Sequence, residues 1–393
     1  MCITNHSVSS HWAISKSYKS IYHTLDSKSI QVSVFCDLSK AFDTVDHSIL
    51  LKKLKIYGIR GQPYEWFKSY LGSRKQYTVY NNETSSYKHV MCGVPQGSIL
   101  GPLLFLIYIN DLPRCSNKLN FILYADDTTI YLQGKNITEL HDAVNRELLS
   151  VSNWLKSNKL TLNISKTVYM VSCPLMTRLA PIDLKIDDLT LKQVDVTKFL
   201  GVTIDHQLKW KQHIEDIKVK LSKMTGIMYR VRKHLNRKSL RQIYLSLAYP
   251  SLLYCTAIWG GAYKTFIESL FVAQKKLLRI MYHRRPYDHT NAIFKEENLL
   301  KLKDIITLQT GLFVYRSMNV YAVDTGFQEL PQSRRSRKLQ IPLCRTTHAQ
   351  QSVFVRGARL WNQLPPGVVD QSRVSGFKSK LKNNLLSNYH REN

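Results

Sequence analysis

The sequence predicts an α+β fold in which an antiparallel sheet with flanking helices is followed by a helical region. Residues 31–37 alternate between two faces, which indicates a strand that ends at Asp37. Two arms rich in β-branched and aromatic residues flank the adjacent Asp126 and Asp127, which predicts a hairpin with both carboxylates at or near its tip. In residues 214–235 the apolar positions recur at alternating steps of three and four, which is typical of an amphipathic helix.

The remaining elements are predicted from their boundary residues. Gly58 and Gly72 are typical helix stops, and Pro63 and Pro102 suit the first turn of a helix. In chain order, the sequence predicts helices at 49–56 and 63–72, β-rich segments at 76–80 and 87–91, a loop at 93–97, a helix at 102–109, the hairpin at 121–131, a helix at 136–158, strands at 167–172 and 199–204, the helix at 214–235 and further helix within 238–320.

Length, hydrophobic fraction and net charge limit the classes of protein to which this chain can belong. The chain has 393 residues and is 44% hydrophobic, so it is globular and long enough for two or three domains. The formal net charge of +28 predicts a polyanionic partner, with a membrane surface as the rival. The longest apolar run, 99–109, is too short to span a bilayer, so no membrane partner is expected.

Cysteine usage indicates the compartment. The seven cysteines are scattered and form no Cys-x-x-Cys pair, which fits a reduced intracellular protein and argues against a zinc finger. The N-terminus lacks the basic start and apolar core of a signal peptide. We therefore expect an intracellular protein.

Two basic segments have open interpretations. The charged face of 214–235 is either solvated or follows a nucleic-acid backbone. Residues 331–360 contain no Asp or Glu and are either a disordered arm or a small nucleic-acid-binding module, with partial order favoured by the apolar residues near their end. The cations of the second segment are Arg334, Arg335, Arg337, Lys338, Arg345, Arg356 and Arg359.

Three carboxylates are candidates for a metal site. Nucleotidyl transfer uses two divalent cations about 3.5–4 Å apart, and hard cations prefer carboxylate oxygens. If the strand that ends at Asp37 pairs with the hairpin that carries Asp126 and Asp127, all three side chains can converge. The alternative is that the adjacent pair consists of solvated turn residues.

The order of short motifs resembles a reverse transcriptase. Residues 35–43 (FCDLSKAFD), 93–98 (GVPQGS) and 124–127 (YADD) are similar to motifs A, B and C of that family. The residues within these motifs resemble those of the non-LTR (LINE-type, jockey-like) retrotransposon branch. Residues 162–167 (LNISKT) resemble motif D, and 199–202 (FLGV) resemble the primer grip.

The resemblance implies a right-hand polymerase fold. The expected parts are a palm of antiparallel sheet and flanking helices with partial fingers at 1–205, a helical thumb at 206–290 and a basic C-terminal region at 291–393. Only about 30 residues precede motif A, fewer than a fingers region needs. We therefore expect a chain truncated on its N-terminal side, derived from a larger element-encoded protein.

The resemblance also implies site residues. The catalytic set is Asp37, Asp126, Asp127 and Lys166, of which the three carboxylates bind metal; Phe42, Gln96 and Gly97 bind substrate; Phe199, Leu200 and Gly201 form the primer grip. Lys166 either protonates the leaving pyrophosphate, supplies a charge beside it or is a solvated surface residue. Phe42 is a steric gate against a ribose 2′-OH, a core aromatic, or both. Asp43 and Asp46 are not implied as ligands, and capping or polar contacts are expected for them.

The implied function is RNA-directed DNA polymerase of a retrotransposon, with two Mg²⁺ ions (or Mn²⁺) as cofactors. Its partners would be an RNA template, a DNA primer, deoxynucleoside triphosphates and an element-encoded nucleic-acid-binding protein or endonuclease. Its location would be a nuclear or cytoplasmic ribonucleoprotein. The alternatives are an inactive remnant that retains nucleic-acid binding and a basic structural or interaction protein unrelated to polymerases.

Overall fold

The computed structural model describes residues 10–174, 182–320, 326–330 and 338–389, and the chain divides into two compact units at residues 200 and 201. The helices of the first unit are α1 (Ser10–Asp26), α2 (His47–Ile56), α3 (Gln62–Gly72), α4 (Leu100–Ile109) and α5 (Ile137–Ser157). Its strands are β1 (Ile30–Cys36), β2 (Lys75–Gln76), β3 (Val79–Tyr80), β4 (Glu83–Thr84), β5 (Lys88–His89), β6 (Asn120–Tyr124), β7 (Asp127–Gly134), β8 (Val168–Ser172), β9 (Lys185–Ile186), β10 (Leu189–Thr190), β11 (Lys192–Gln193) and β12 (Val196–Phe199).

The second unit is almost entirely helical, as the spacing from residue 214 predicts. After β13 (Val202–Asp205), its helices are α6 (Lys211–Val231), α7 (Arg237–Ile243), α8 (Tyr249–Leu253), α9 (Thr256–Trp259), α10 (Lys264–Met281), α11 (Asn291–Glu296), α12 (Leu302–Asn319), α13 (Thr347–Gln350), α14 (Val353–Gln363), α15 (Pro366–Val369) and α16 (Val374–Asn388). Among the helices described in either unit, none is long and apolar enough to cross a membrane.

A five-stranded sheet organises the first unit. Its order is β11-β8-β1-β7-β6, so the first strand of the chain lies at its centre. β1 pairs antiparallel with β7 and with β8, and β6 pairs antiparallel with β7; the edge pair β11–β8 is parallel. This sheet and its helices confirm the predicted α+β class.

Both faces of β1 are buried. Val32, Val34 and Cys36 belong to a core that also contains residues of α2, α4 and α5. On the other face, the buried Gln31 side chain accepts hydrogen bonds from Ser20 (2.9 Å) and Thr24 (3.2 Å) of α1. Helix α1 thus covers the polar positions of β1 and adds to the predicted elements. Its buried apolar residues recur at helical spacing and are Ala13, Ile14, Tyr18, Ile21 and Tyr22.

The sequence predicted one continuous strand at 199–204, and this prediction is wrong. The chain forms β12 and β13 with a turn between them, in which Leu200 has φ 47° and Gly201 has φ 78°. Two successive residues with positive φ cannot continue an extended strand. The amphipathic helix predicted at 214–235 is confirmed, although it starts at residue 211 and ends at 231.

The basic segment near the C-terminus is folded where it is described. Residues 331–337 lie outside the described residues, and with them Arg334, Arg335 and Arg337. From residue 347 onward the chain forms α13 and α14. Arg356 donates hydrogen bonds to the carbonyls of Gln351 and Ala257, each at 2.8 Å. This arginine therefore stabilises its own unit, and the disordered-arm interpretation is wrong for 347–360.

Asp46 fixes the start of α2, in agreement with the expected capping role. Its Oδ1 accepts hydrogen bonds from the amides of Ser48 (2.9 Å) and Ile49 (3.0 Å), and its Oδ2 accepts one from the Lys159 ammonium (2.6 Å). Partial burial would raise the pKa of Asp46, but the bonds from Lys159, Ser48 and Ile49 outweigh it and hold the pKa well below its usual range.

We predict that Asp46→Ala lowers the free energy of unfolding by about 1–2 kcal/mol at pH 7, the usual cost of a lost N-cap. Because the folded-state pKa is depressed, this stabilisation is present above the unfolded pKa of about 4 and is lost as the pH falls toward the folded value. Urea unfolding at pH 7 and pH 3 measures the change. Asp46→Asn keeps a capping oxygen without the charge and should lie between the two. An equal loss at both pH values would contradict the role of the ionised carboxylate.

Candidate active site

The sheet brings Asp37 beside the hairpin carboxylates. The last pair of the β1–β7 ladder is Cys36 with Thr128, so Asp37 and Asp127 follow it on neighbouring strands. β6 and β7 close with Tyr124 opposite Asp127, which leaves Ala125 and Asp126 as a two-residue turn. Ala125 has φ 52°, a left-handed conformation common in such turns. The predicted hairpin with both carboxylates at its tip is confirmed.

The three carboxylates repel one another. Asp127 keeps contact with solvent, yet the surrounding protein removes enough water to raise its pKa, and the charges of Asp126 and Asp37 raise the pKa further. Like charges held on rigid strands are costly without a compensating cation. The electrostatics therefore favour a bound positive charge at this end of the sheet.

The segment that carries Lys166 lies along Asp37. The Asp37 amide donates to Thr167 Oγ1 at 3.2 Å, and the Asn163 amide donates to the Asp37 carbonyl at 2.8 Å. These bonds place Lys166 Nζ 3.9 Å from Asp37 Oδ2. The ion pair itself is weak, because the Lys166 and Asp37 side chains are 70% and 44% exposed. The backbone, rather than the ion pair, therefore holds Lys166 near the carboxylates.

The motif B loop is hydrogen-bonded to the segment after Asp37. The Gly93 amide donates to the Val45 carbonyl and the Val94 amide to the Phe42 carbonyl, each at 2.8 Å. Gly93 has φ +85°, and a Cβ added there would lie 2.8 Å from the Asp43 carbonyl oxygen. Only glycine permits this approach of the two backbones.

Asp43 and His47, which the sequence did not assign to the site, hold this loop in place. Gln96 Nε2 donates to Asp43 Oδ1 at 2.9 Å, and His47 Nε2 donates to the Gly93 carbonyl at 2.8 Å. Asp43 and Gln96 are 53 residues apart in sequence, so no local pattern links them. Gly97 has φ +81°, which favours glycine, and a Cβ added there would meet nothing within 4 Å. The contacts of Gln96 and Gly97 with substrate stay predictions.

Two predicted aromatic residues have packing roles. The half-buried Phe42 ring lies 4.7 Å from the ring of Phe105 in the core, so it packs there whether or not it also acts as a steric gate. Phe199 is buried, with its ring 6.0 Å from that of Phe35. The primer-grip roles of Phe199, Leu200 and Gly201 stay predictions.

The donor chemistry of the site fits a hard divalent cation, because all three acidic groups are carboxylates. The side chains are not drawn together into a closed cage: among the residues that the structure describes, no group of three or more His, Cys, Asp or Glu side chains is arranged to hold a metal ion.

Residues 4–204 match the reverse transcriptase (RNA-dependent DNA polymerase) family, and the chain belongs to that family. Three proteins of Drosophila melanogaster are similar over most of the chain. The probable RNA-directed DNA polymerase from transposon BS is 29% identical over 75% of this chain and 34% of its own length. The corresponding protein of transposon X-element is 30% identical over 65% and 29% of the two chains, and that of mobile element jockey is 27% identical over 71% and 31%.

These relatives confirm the predicted LINE-type lineage. The chain spans about a third of their length. Among solved structures, telomerase from Candida albicans with a fragment of telomeric RNA is similar at 12% identity, with a TM-score of 0.41 over 79% of this chain and 50% of that chain.

We predict that Asp127→Asn raises the melting temperature of the metal-free chain by about 1–2 °C, the size expected when a solvent-exposed like-charge contact is removed. Because the pKa of Asp127 is raised in the folded chain, the ionised carboxylate destabilises the fold: the cost appears as the pH rises above the unfolded pKa of about 4 and is complete above the folded pKa. The gain should therefore grow as the pH rises from 4 to 7. Differential scanning fluorimetry in chelator measures it. Asp370→Asn, at an exposed position directly after α15, is the matched control, and an equal gain there would contradict the role of the neighbouring carboxylates.

Proposed function

We propose that this chain is the polymerase part of a retrotransposon RNA-directed DNA polymerase, which copies RNA into DNA by two-metal nucleotidyl transfer. The observation that carries the proposal is the juxtaposition of Asp37 with Asp126 and Asp127 by the pairing of β1 with β7. Membership of the reverse transcriptase family supports the same reaction.

Asp37, Asp126 and Asp127 would hold two Mg²⁺ ions, or Mn²⁺ in their place. Bound divalent cations supply charge that stabilises the attacking and leaving oxygens. Asp127 begins β7, Asp126 lies in the turn before it and Asp37 directly follows β1, so paired strands position all three carboxylates more firmly than free loops would.

Neighbouring residues of the chain would handle the nucleotide. Lys166, held by backbone contacts near Asp37, would place a proton or a positive charge beside the leaving pyrophosphate. Phe42 would oppose a ribose 2′-OH and so select deoxynucleoside triphosphates. Gln96 and Gly97 would contact the new base pair, with Gln96 oriented by Asp43.

The second unit offers a basic surface for the RNA template and DNA primer. Four cations of α6 are exposed, namely Lys211, Lys220, Lys223 and Arg230. A groove of about 620 Å³ is lined by residues of α6 and α10, with Lys218 and Lys276 among them. Such cations would neutralise phosphates without reading sequence. We propose that the chain acts within an intracellular ribonucleoprotein.

The test is primer extension on an RNA template by the purified chain with Mg²⁺. Asp126→Asn should reduce nucleotide incorporation by at least about a hundredfold, as when one electrostatic contact to developing charge is removed. Its affinity for RNA should stay unchanged, because the carboxylate does not neutralise phosphates. Asp188→Asn is the control and should retain full activity. Comparable incorporation by Asp126→Asn would contradict the assignment, and an inactive wild-type chain that binds RNA would favour the remnant.

A further inference from the structure

A small hairpin of the first unit exposes aromatic side chains to solvent. β2 pairs with β5, with Lys75 opposite His89, and β3 pairs with β4, with Tyr80 opposite Glu83. The side chains of Tyr77 and Tyr87 in this hairpin are large and apolar, yet these residues are 50% and 65% exposed. Neither residue belongs to the core or to the site described above.

One face of the hairpin combines the rings with positive charge. The ring centroids of Tyr77 and Tyr87 lie 4.7 Å apart, so both side chains lie on the same side of the hairpin. Side chains two residues apart on a strand share a face. Lys75 therefore lies on the Tyr77 side of the first strand, and His89 on the Tyr87 side of the second. The face thus presents two adjacent rings beside a lysine and a histidine.

A third exposed tyrosine of the same hairpin serves as an internal comparison. Tyr80 lies on β3, in the β3–β4 ladder. Tyr80 is 77% exposed and pairs with Glu83, whose charge would repel a phosphate backbone. Tyr80 is therefore an exposed ring with an acidic cross-strand partner, whereas the Tyr77–Tyr87 pair is preceded and followed along the hairpin by the Lys75–His89 pair.

We propose that the Tyr77–Tyr87 face is a stacking platform for single-stranded RNA. Bases stack on exposed aromatic rings irrespective of sequence, and nearby cations hold the backbone. A duplex would not use this face, because its bases are already stacked and paired. The choice of RNA over single-stranded DNA rests on the proposed function, whereas the stacking chemistry does not.

The experiment measures the binding of a fluorescein-labelled 12-nucleotide RNA to the full chain by anisotropy. No primer or nucleotide is present, so the outcome does not depend on polymerase activity. Replacing both Tyr77 and Tyr87 with Leu keeps the apolar bulk but removes the rings, and should raise the Kd at least about tenfold. Replacing both with Phe should restore binding, because the stacking surface returns. Affinity for an abasic oligomer should be the same in the wild type and the Leu variant.

Tyr80→Leu is the matched control, and its Kd should equal that of the wild type. An unchanged Kd in the double Leu variant, or an equal loss in Tyr80→Leu, would overturn the platform. A loss seen with single-stranded DNA but not with RNA would overturn the assignment to RNA. The rival interpretation is that this face joins two copies of the chain. Sedimentation tests it: a wild type that is dimeric and a double Leu variant that is monomeric would overturn the RNA platform in favour of a dimer interface.

Photocrosslinking of the unmodified protein supplies a second readout that needs no variant. RNA that contains 5-iodouridine reacts on irradiation with aromatic side chains in stacking contact. Crosslinks should map to the peptide that contains 75–89. Crosslinks confined to other peptides would overturn the proposal.

Discussion

The antiparallel pairing of β1 with β7 is the constraint on which the candidate site depends. A slip of one residue would move Asp37 out of line with Asp127 and turn Val32 and Val34 toward α1. The register is fixed by chemistry as well as by packing. Gln31 and Gln133 are directly paired, and Gln133 Nε2 donates to the buried Gln31 Oε1 at 2.9 Å. A slipped register would leave Gln31 buried without its partners, which costs more than a single hydrogen bond contributes.

A second set of contacts links the segment after Asp37 to the residues that are predicted to contact substrate. The backbone bonds of Gly93 and Val94 to the segment 42–45 tie the motif B loop to the residues that follow Asp37. Phe42 and Gln96 thereby receive fixed positions relative to β1, although neither lies in the sheet. Because the Gly93 approach leaves no room for a side chain, this arrangement depends on backbone geometry and not on side-chain packing alone. The carboxylate end of the sheet and the loop therefore form one connected structure.

The sequence predicted the parts of the structure that local patterns specify. The alternation of residues predicted the strand at 31–37, and the β-rich arms predicted the hairpin at Asp126 and Asp127. Helical spacing of the apolar residues predicted α6. The apolar residues of α1 also recur at helical spacing, but the serines between them made this helix harder to predict. The turn at Leu200 was missed because Leu rarely adopts positive φ, and only the following Gly201 hinted at it.

Contacts between distant residues could not be read from the chain. The bond from Gln96 to Asp43 depends on how two loops approach each other, which no spacing rule encodes. The charge of Arg356 suggested a contact with nucleic acid, yet its guanidinium bonds two backbone carbonyls. Charge alone cannot distinguish a solvent-facing arginine from one that stabilises a fold. Family resemblance predicted roles for Asp37 and Lys166, and the structure shows that the two side chains lie close together.

We propose that Asp37, Asp126 and Asp127 form one metal site, and iron-mediated cleavage tests this arrangement most directly. Fe²⁺ with peroxide generates radicals that cut the backbone beside a bound ion. We expect cuts near residue 37 and near 125–127 together, suppressed by excess Mg²⁺ and absent in Asp37→Asn. Cuts at only one of the two segments, or a pattern that Asp37→Asn leaves unchanged, would contradict a shared site.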